Sequence, residues 1–91
     1  MTYAVVMSAN GGAAQPGRLD LEPDGFSFSD GRRVRYADLL DIYLERRSNA
    51  PPALILQPRT GDRLRLVSLE GLGALHELAE ELYEARGKAA A

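Results

Sequence analysis

The chain has no cysteine and only one histidine among its 91 residues. Without cysteine there can be no disulfide, thiolate metal site or thiol nucleophile. With His76 alone, the several nitrogen or sulfur ligands of a zinc-type site are missing. No stretch approaches the roughly 20 apolar residues needed to cross a bilayer. The opening Met1-Thr2-Tyr3-Ala4-Val5-Val6-Met7 lacks the basic region and the long apolar run of a secretory signal. The expected location is therefore cytoplasmic, in keeping with a staple-free domain in a reducing compartment. The chain also lacks a net positive charge. The formal net charge is −2, which speaks against a dedicated nucleic-acid binder.

What is present describes an ordinary globular domain. Hydrophobic residues make up 45% and charged residues 26%, so disorder is not expected. The length fits a single domain, and folding would bury roughly 60–65% of the extended chain's surface. Charge is unevenly spread. Residues 1–31 set Arg18 against four acids, a net of −3, and residues 66–91 set Arg86 and Lys88 against five glutamates, again −3. Residues 32–65 hold eight arginines and four acids, a net of +4. An anionic partner would prefer this middle stretch.

Hydrophobic periodicity of two dominates up to Ser68. Residues 3–8 are β-leaning, and Asn10 to Gly17 reads as a flexible loop. Arg18-Leu19-Asp20-Leu21-Glu22 alternates, with Leu19 and Leu21 inward. Pro23-Asp24-Gly25 reads as a turn in which glycine takes a positive φ. Phe26 and Phe28 share a face, and Asp30-Gly31 gives a type I′ hairpin signal. Arg32 to Tyr36 returns with Val34 and Tyr36 inward and Arg33 and Arg35 outward. Residues 36–47 fit a helical stripe (Tyr36, Leu39, Leu40, Tyr43, Leu44) or a strand with Leu40, Ile42 and Leu44 inward, and periodicity alone does not decide. The flanking hairpins favour a short turn at 37–39 and then a strand. Ser48-Asn49-Ala50-Pro51-Pro52 reads as a break. Residues 53–58 and 63–68 read as strands around the Arg59-Thr60-Gly61-Asp62 turn, with Leu54, Leu56, Leu64 and Leu66 inward.

The period then changes. Leu72, Leu75, Leu78, Ala79, Leu82 and Tyr83 fall on one face of a helix of about four turns. Glu70 stands near its start and Arg86 near its end, as the helix dipole favours. Gly87 is the expected stop, leaving 87–91 as a frayed tail beyond a core of residues 3–86. The expected fold is mainly β with one C-terminal helix: a seven-stranded antiparallel partial barrel capped by that helix.

This order of elements resembles the pleckstrin-homology-like (PH-like) fold. The resemblance runs from Arg18 to Arg86. It rests on Arg18 to Phe28, similar to the strand, Asp-Gly turn and strand that open bacterial members. It rests also on Val34 to Ile42, on the Thr60-Gly61-Asp62 hairpin and on the leucine-rich final helix. The resemblance implies two near-orthogonal sheets plugged by the helix, and functions spanning anionic lipid headgroups, phosphopeptides, proline-rich peptides and partner proteins. Lipid-binding members carry basic residues between their first two strands, in a Lys-x(n)-Arg-x-Arg pattern. Here that loop, Ala9 to Gly17, has none, and Arg18 is followed by Asp20.

Arg33, Arg35, Arg63 and Arg65 are the leading binding residues. Each pair stands at i, i+2 on the outward face of a strand, and guanidinium forks suit phosphate or carboxylate. The plainer account is a solvated face that discourages edge pairing. Tyr43, between Asp41 and Glu45, is a candidate anchor for a partner. His76 borders the helix stripe, and Glu77, Glu80, Glu81 and Glu84 form its polar face, so no catalytic acid–base pair, metal site or cofactor site is expected. Gly11-Gly12 lacks the Gly-Lys-Ser/Thr of a phosphate loop, and no serine has a nucleophile-elbow context. A non-enzymatic module for a protein or peptide partner, with homo-oligomerisation as a variant, is the expected function. Peripheral binding to an anionic membrane surface through the arginines and a small-ligand cavity beneath the helix are the alternatives.

Overall fold

The computed structural model describes residues 1–90. Its strands are β1 (Thr2–Ala9), β2 (Gln15–Leu21), β3 (Gly25–Phe28), β4 (Arg33–Arg35), β5 (Leu39–Arg47), β6 (Ala50–Pro58) and β7 (Leu64–Ser68). A single 3-10 turn, Tyr36–Asp38, links β4 to β5, and helix α1 (Leu72–Ala90) follows β7. All the pairings are antiparallel, in the order β4-β3-β2-β1-β7-β6-β5, and the sheet curls into a half-barrel. The segment 36–47 is thus the expected turn followed by a strand. No helix among the described residues is long and apolar enough to cross a membrane.

The concave face carries one core. Tyr3, Val5 and Met7 enter it from β1, Leu19 from β2, Phe26 and Phe28 from β3, and Leu54, Leu56, Leu64 and Leu66 from β6 and β7. Helix α1 closes it with Leu75, Leu78, Ala79 and Leu82, all buried. Two outer members of the expected helical stripe stay exposed. Leu72 is the first residue of the helix, and Tyr83 reaches sideways to donate a hydrogen bond to the Ile42 carbonyl. The helix also runs through Gly87 to Ala90 rather than stopping there. A lone glycine costs only about 1 kcal/mol in a helix already anchored by packing. The expected tail at 87–90 is therefore helical, and Ala91 lies outside the described residues. Glu70 stands just before the helix start and accepts the Ala4 N–H at 2.9 Å.

Several turns differ from their sequence signals for local reasons. Gln15, Pro16 and Gly17 belong to β2, opposite Met7, Val6 and Val5, so the first loop is only Asn10–Ala14. The β3–β4 connection is not type I′, which needs positive φ at both central residues. It is a three-residue loop in which Phe28 N–H meets Arg32 C=O and Gly31 alone turns left-handed, at φ 97°. Gly25 does not use a positive φ either. It is glycine because a Cβ there would collide with the Val34 carbonyl across the β3–β4 pair. Leu40 is exposed, against the inward position that simple alternation gives it. Leu39 pairs with Pro58 and Asp41 with Gln57, so Leu40 is the extra residue of a β-bulge. The break at 48–52 shrinks to Ser48-Asn49. Pro51 and Pro52 lie within β6, in a second irregularity between the Glu45–Ala53 and Arg47–Ala50 pairs, where no ladder N–H is demanded of them.

Candidate functional site

On the convex face of β5, β6 and β7 several charged side chains crowd around a buried floor. Register places Tyr43, Ile55, Arg65 and Ser8 side by side across β5, β6, β7 and β1. Ile55 is only 1% exposed yet is not part of the inner core. It is covered from outside by the long side chains of its neighbours, whose stems bury apolar surface while their heads stay wet.

Glu45 stands at the centre of this cover. Its carboxylate lies 2.9 Å from Arg47 Nε, 3.6 Å from Arg65 Nε and 3.9 Å from Arg63. Three guanidiniums thus share one carboxylate, a local excess of two positive charges. The sharing is imperfect. Glu45 Oε1 and Arg65 Nε are both buried atoms without a hydrogen-bond partner, so the close approach of Arg47 is an ion pair whose N–H is not aimed at the oxygen. Arg63 is held from two other sides. It donates to the Tyr43 hydroxyl and lies 5.8 Å from the centre of that ring. Its backbone is fixed by Asn10, which takes a left-handed φ of 52°. The Asn10 amide oxygen accepts the Arg63 N–H at 2.9 Å, and its N–H donates to the Arg63 carbonyl at 2.8 Å. The Asn10 Nδ2 also donates to Asp62, which pairs with Arg32 at 3.3 Å, so three loops are tied together at this end of the sheet. Beside these groups opens a groove of about 410 Å3, floored by Ile55 and walled by Ser8, Glu45, Arg47, Arg63 and Arg65.

The expected set of four arginines therefore divides. Arg63 and Arg65 meet, together with Tyr43. Arg33 and Arg35 lie on β4, an edge strand separated from β7 by β3, β2 and β1. Arg33 is 72% exposed in its side chain and pairs with Glu22 at 2.8 Å. Arg35 faces a different depression, between the β2–β3 turn and the end of α1. Arg47, Glu45, Asn10 and Ile55 were not singled out by sequence. The signal for Glu45 and Arg47 was present, since they continue the outward alternation of Asp41 and Tyr43. Asn10 and Ile55 gave none, because their roles depend on the β1–β7 and β6–β7 pairings.

Among the described residues no group of three or more His, Asp or Glu side chains is arranged to hold a metal ion. His76 is half-buried beside the apolar stripe of α1. Compared with models of known protein families and with curated proteins, the chain matches none.

Proposed function

We propose that this chain is a non-enzymatic interaction module of PH-like fold that holds an acidic segment of a protein partner against the convex face of β5, β6 and β7. The observation that carries this reading is the gathering of Arg47, Arg63 and Arg65 around the single carboxylate of Glu45. A ligand carboxylate entering the groove would relieve the shared demand on Glu45 and find forked donors already oriented by Tyr43 and Asn10. The order of the seven strands and the closing helix support the PH-like part of the reading. Tyr43 adds an amphipathic anchor at the rim.

The test is an NMR titration of the labelled chain with a short glutamate-rich peptide, with acidic lipid vesicles as a separate arm. Shifts should concentrate at Tyr43, Ile55, Arg63 and Arg65 and weaken as salt rises. Arg63→Ala with Arg65→Ala should abolish them, and Arg33→Ala with Arg35→Ala should leave them in place. Shifts spread evenly over the surface, or binding only to vesicles, would overturn the reading.

A further inference from the structure

Strand β5 ends the sheet on one side, and half of its outer edge is uncovered. The two-residue turn closed by Arg47 and Ala50 directs the Arg47 backbone groups toward β6. Alternation then directs those of Arg46, Leu44 and Ile42 away from the sheet. The groups of Ile42 are met locally, its N–H by the Asp41 carboxylate at 3.0 Å and its carbonyl by the Tyr83 hydroxyl. Leu40, at the bulge, is met by Arg86 at 3.3 Å. The helix thus guards the first half of the edge, and among the described residues the outward backbone groups of Leu44 and Arg46 meet no partner, a template for another strand.

We infer that a second copy of this chain occupies this edge, pairing β5 antiparallel to β5 about a two-fold axis at Leu44. The inference rests on the proposed reading of the arginine cluster as a carboxylate site, and it names the partner. In this register Asp41 of each copy lies directly opposite Arg47 of the other, and Tyr43 lies opposite Glu45, all on the convex face. Directly opposed residues have Cβ atoms about 5 Å apart, so each Asp41 carboxylate enters the arginine cluster of the neighbouring copy. Charge selects this register. A two-residue slip one way opposes Glu45 to Glu45, and a slip the other way opposes Asp41 to Glu45. A one-residue slip turns the bonding groups away from each other. The backbone gains two bonds between the Leu44 residues with no rearrangement. As the Arg46 carbonyl of the partner takes the Ile42 N–H, Asp41 is released toward Arg47. The Ile42 carbonyl has a second lone pair and can accept the partner's Arg46 N–H beside Tyr83. On the concave side the two half-buried Leu44 side chains cover each other.

Sedimentation equilibrium of the full chain over a concentration series tests this. The wild-type chain should form a dimer. Asp41→Arg and Arg47→Asp should each weaken dimerisation by about ten-fold or more, since each replaces two attractive pairs by two repulsive ones. An equimolar mixture of the two variants should recover the association, because every opposed pair in that heterodimer is again complementary. A wild-type chain that stays monomeric, or a mixture no more associated than its components, would overturn the inference. Circular dichroism of each variant confirms that it is folded. Titration of the Asp41→Arg variant with the glutamate-rich peptide separates the two readings. A wild-type chain that stays monomeric, beside peptide binding by the variant, removes the second copy and keeps the acidic-segment site. A dimer that follows the charge-swap pattern and binds no peptide keeps the seam and removes the broader reading.

Discussion

The phenol of Tyr3 is buried where β1 passes beneath α1, and donates to Glu77 at 3.1 Å. Burial, and then the hydrogen bond to that carboxylate, push its pKa from the ordinary 10.0 up to about 12. Both act by penalising the phenolate. A group whose pKa is higher in the folded state binds its proton more tightly there, so its stabilising contribution is complete below pH 10 and is lost as pH rises toward 12. Urea denaturation at stepped pH should show stability falling across that window, and Tyr3→Phe should flatten the decline. Tyr36, raised in the same direction mainly by burial, will keep a residual slope. An unchanged slope in Tyr3→Phe would assign the whole effect elsewhere. At this scale the inward or outward sense of most side chains was legible, because period two is a direct imprint of the pleat. Which outward arginines meet was not. That depends on strand order, and Arg33 and Arg63 carry the same local signal at strands that three others separate.

Strand β5 shows where element-level reading succeeds and where it slips. Its type followed from the hairpins around it, and Ile42 faces the core as alternation requires. Leu40 does not, because one bulged residue reverses the phase, and no residue type in Leu39-Leu40-Asp41 announces a bulge. The consequence is measurable. Leu40→Gln should change stability by no more than about 0.5 kcal/mol, as exposed positions do. Ile42→Ala should cost about 2–5 kcal/mol through lost burial and a cavity. Equal losses in chemical denaturation would restore the unbroken alternation. The same distinction explains Pro51 and Pro52. Read alone they are breakers, but a strand tolerates proline where its partner makes no claim on the N–H. Gly87 misleads in the opposite sense, since tertiary contacts along Leu75, Leu78 and Leu82 carry the helix past a residue of poor propensity.

For the molecule as a whole, α1 is the lid of a single core, and the convex face is free to carry other groups. Leu78 is fully buried between helix and sheet, so Leu78→Ala should lower stability by about 2–5 kcal/mol. The loss should be the same by far-UV circular dichroism and by tyrosine fluorescence, as a two-state domain requires. Non-coincident curves would mean that the helix melts apart from the sheet. The strand order also has a kinetic consequence. β1 is the hinge between the two halves of the sheet, with β2 on one side and β7 on the other. The chain delivers β1 early and its second neighbour late, since Ala9 must wait for Leu64 and Val5 for Ser68. Until then one flank of β1 stays bare, with the apolar side chains of Val5 and Met7 beside it. Closing so long a loop is entropically slow, and the nascent polypeptide is most prone to aggregate during that wait.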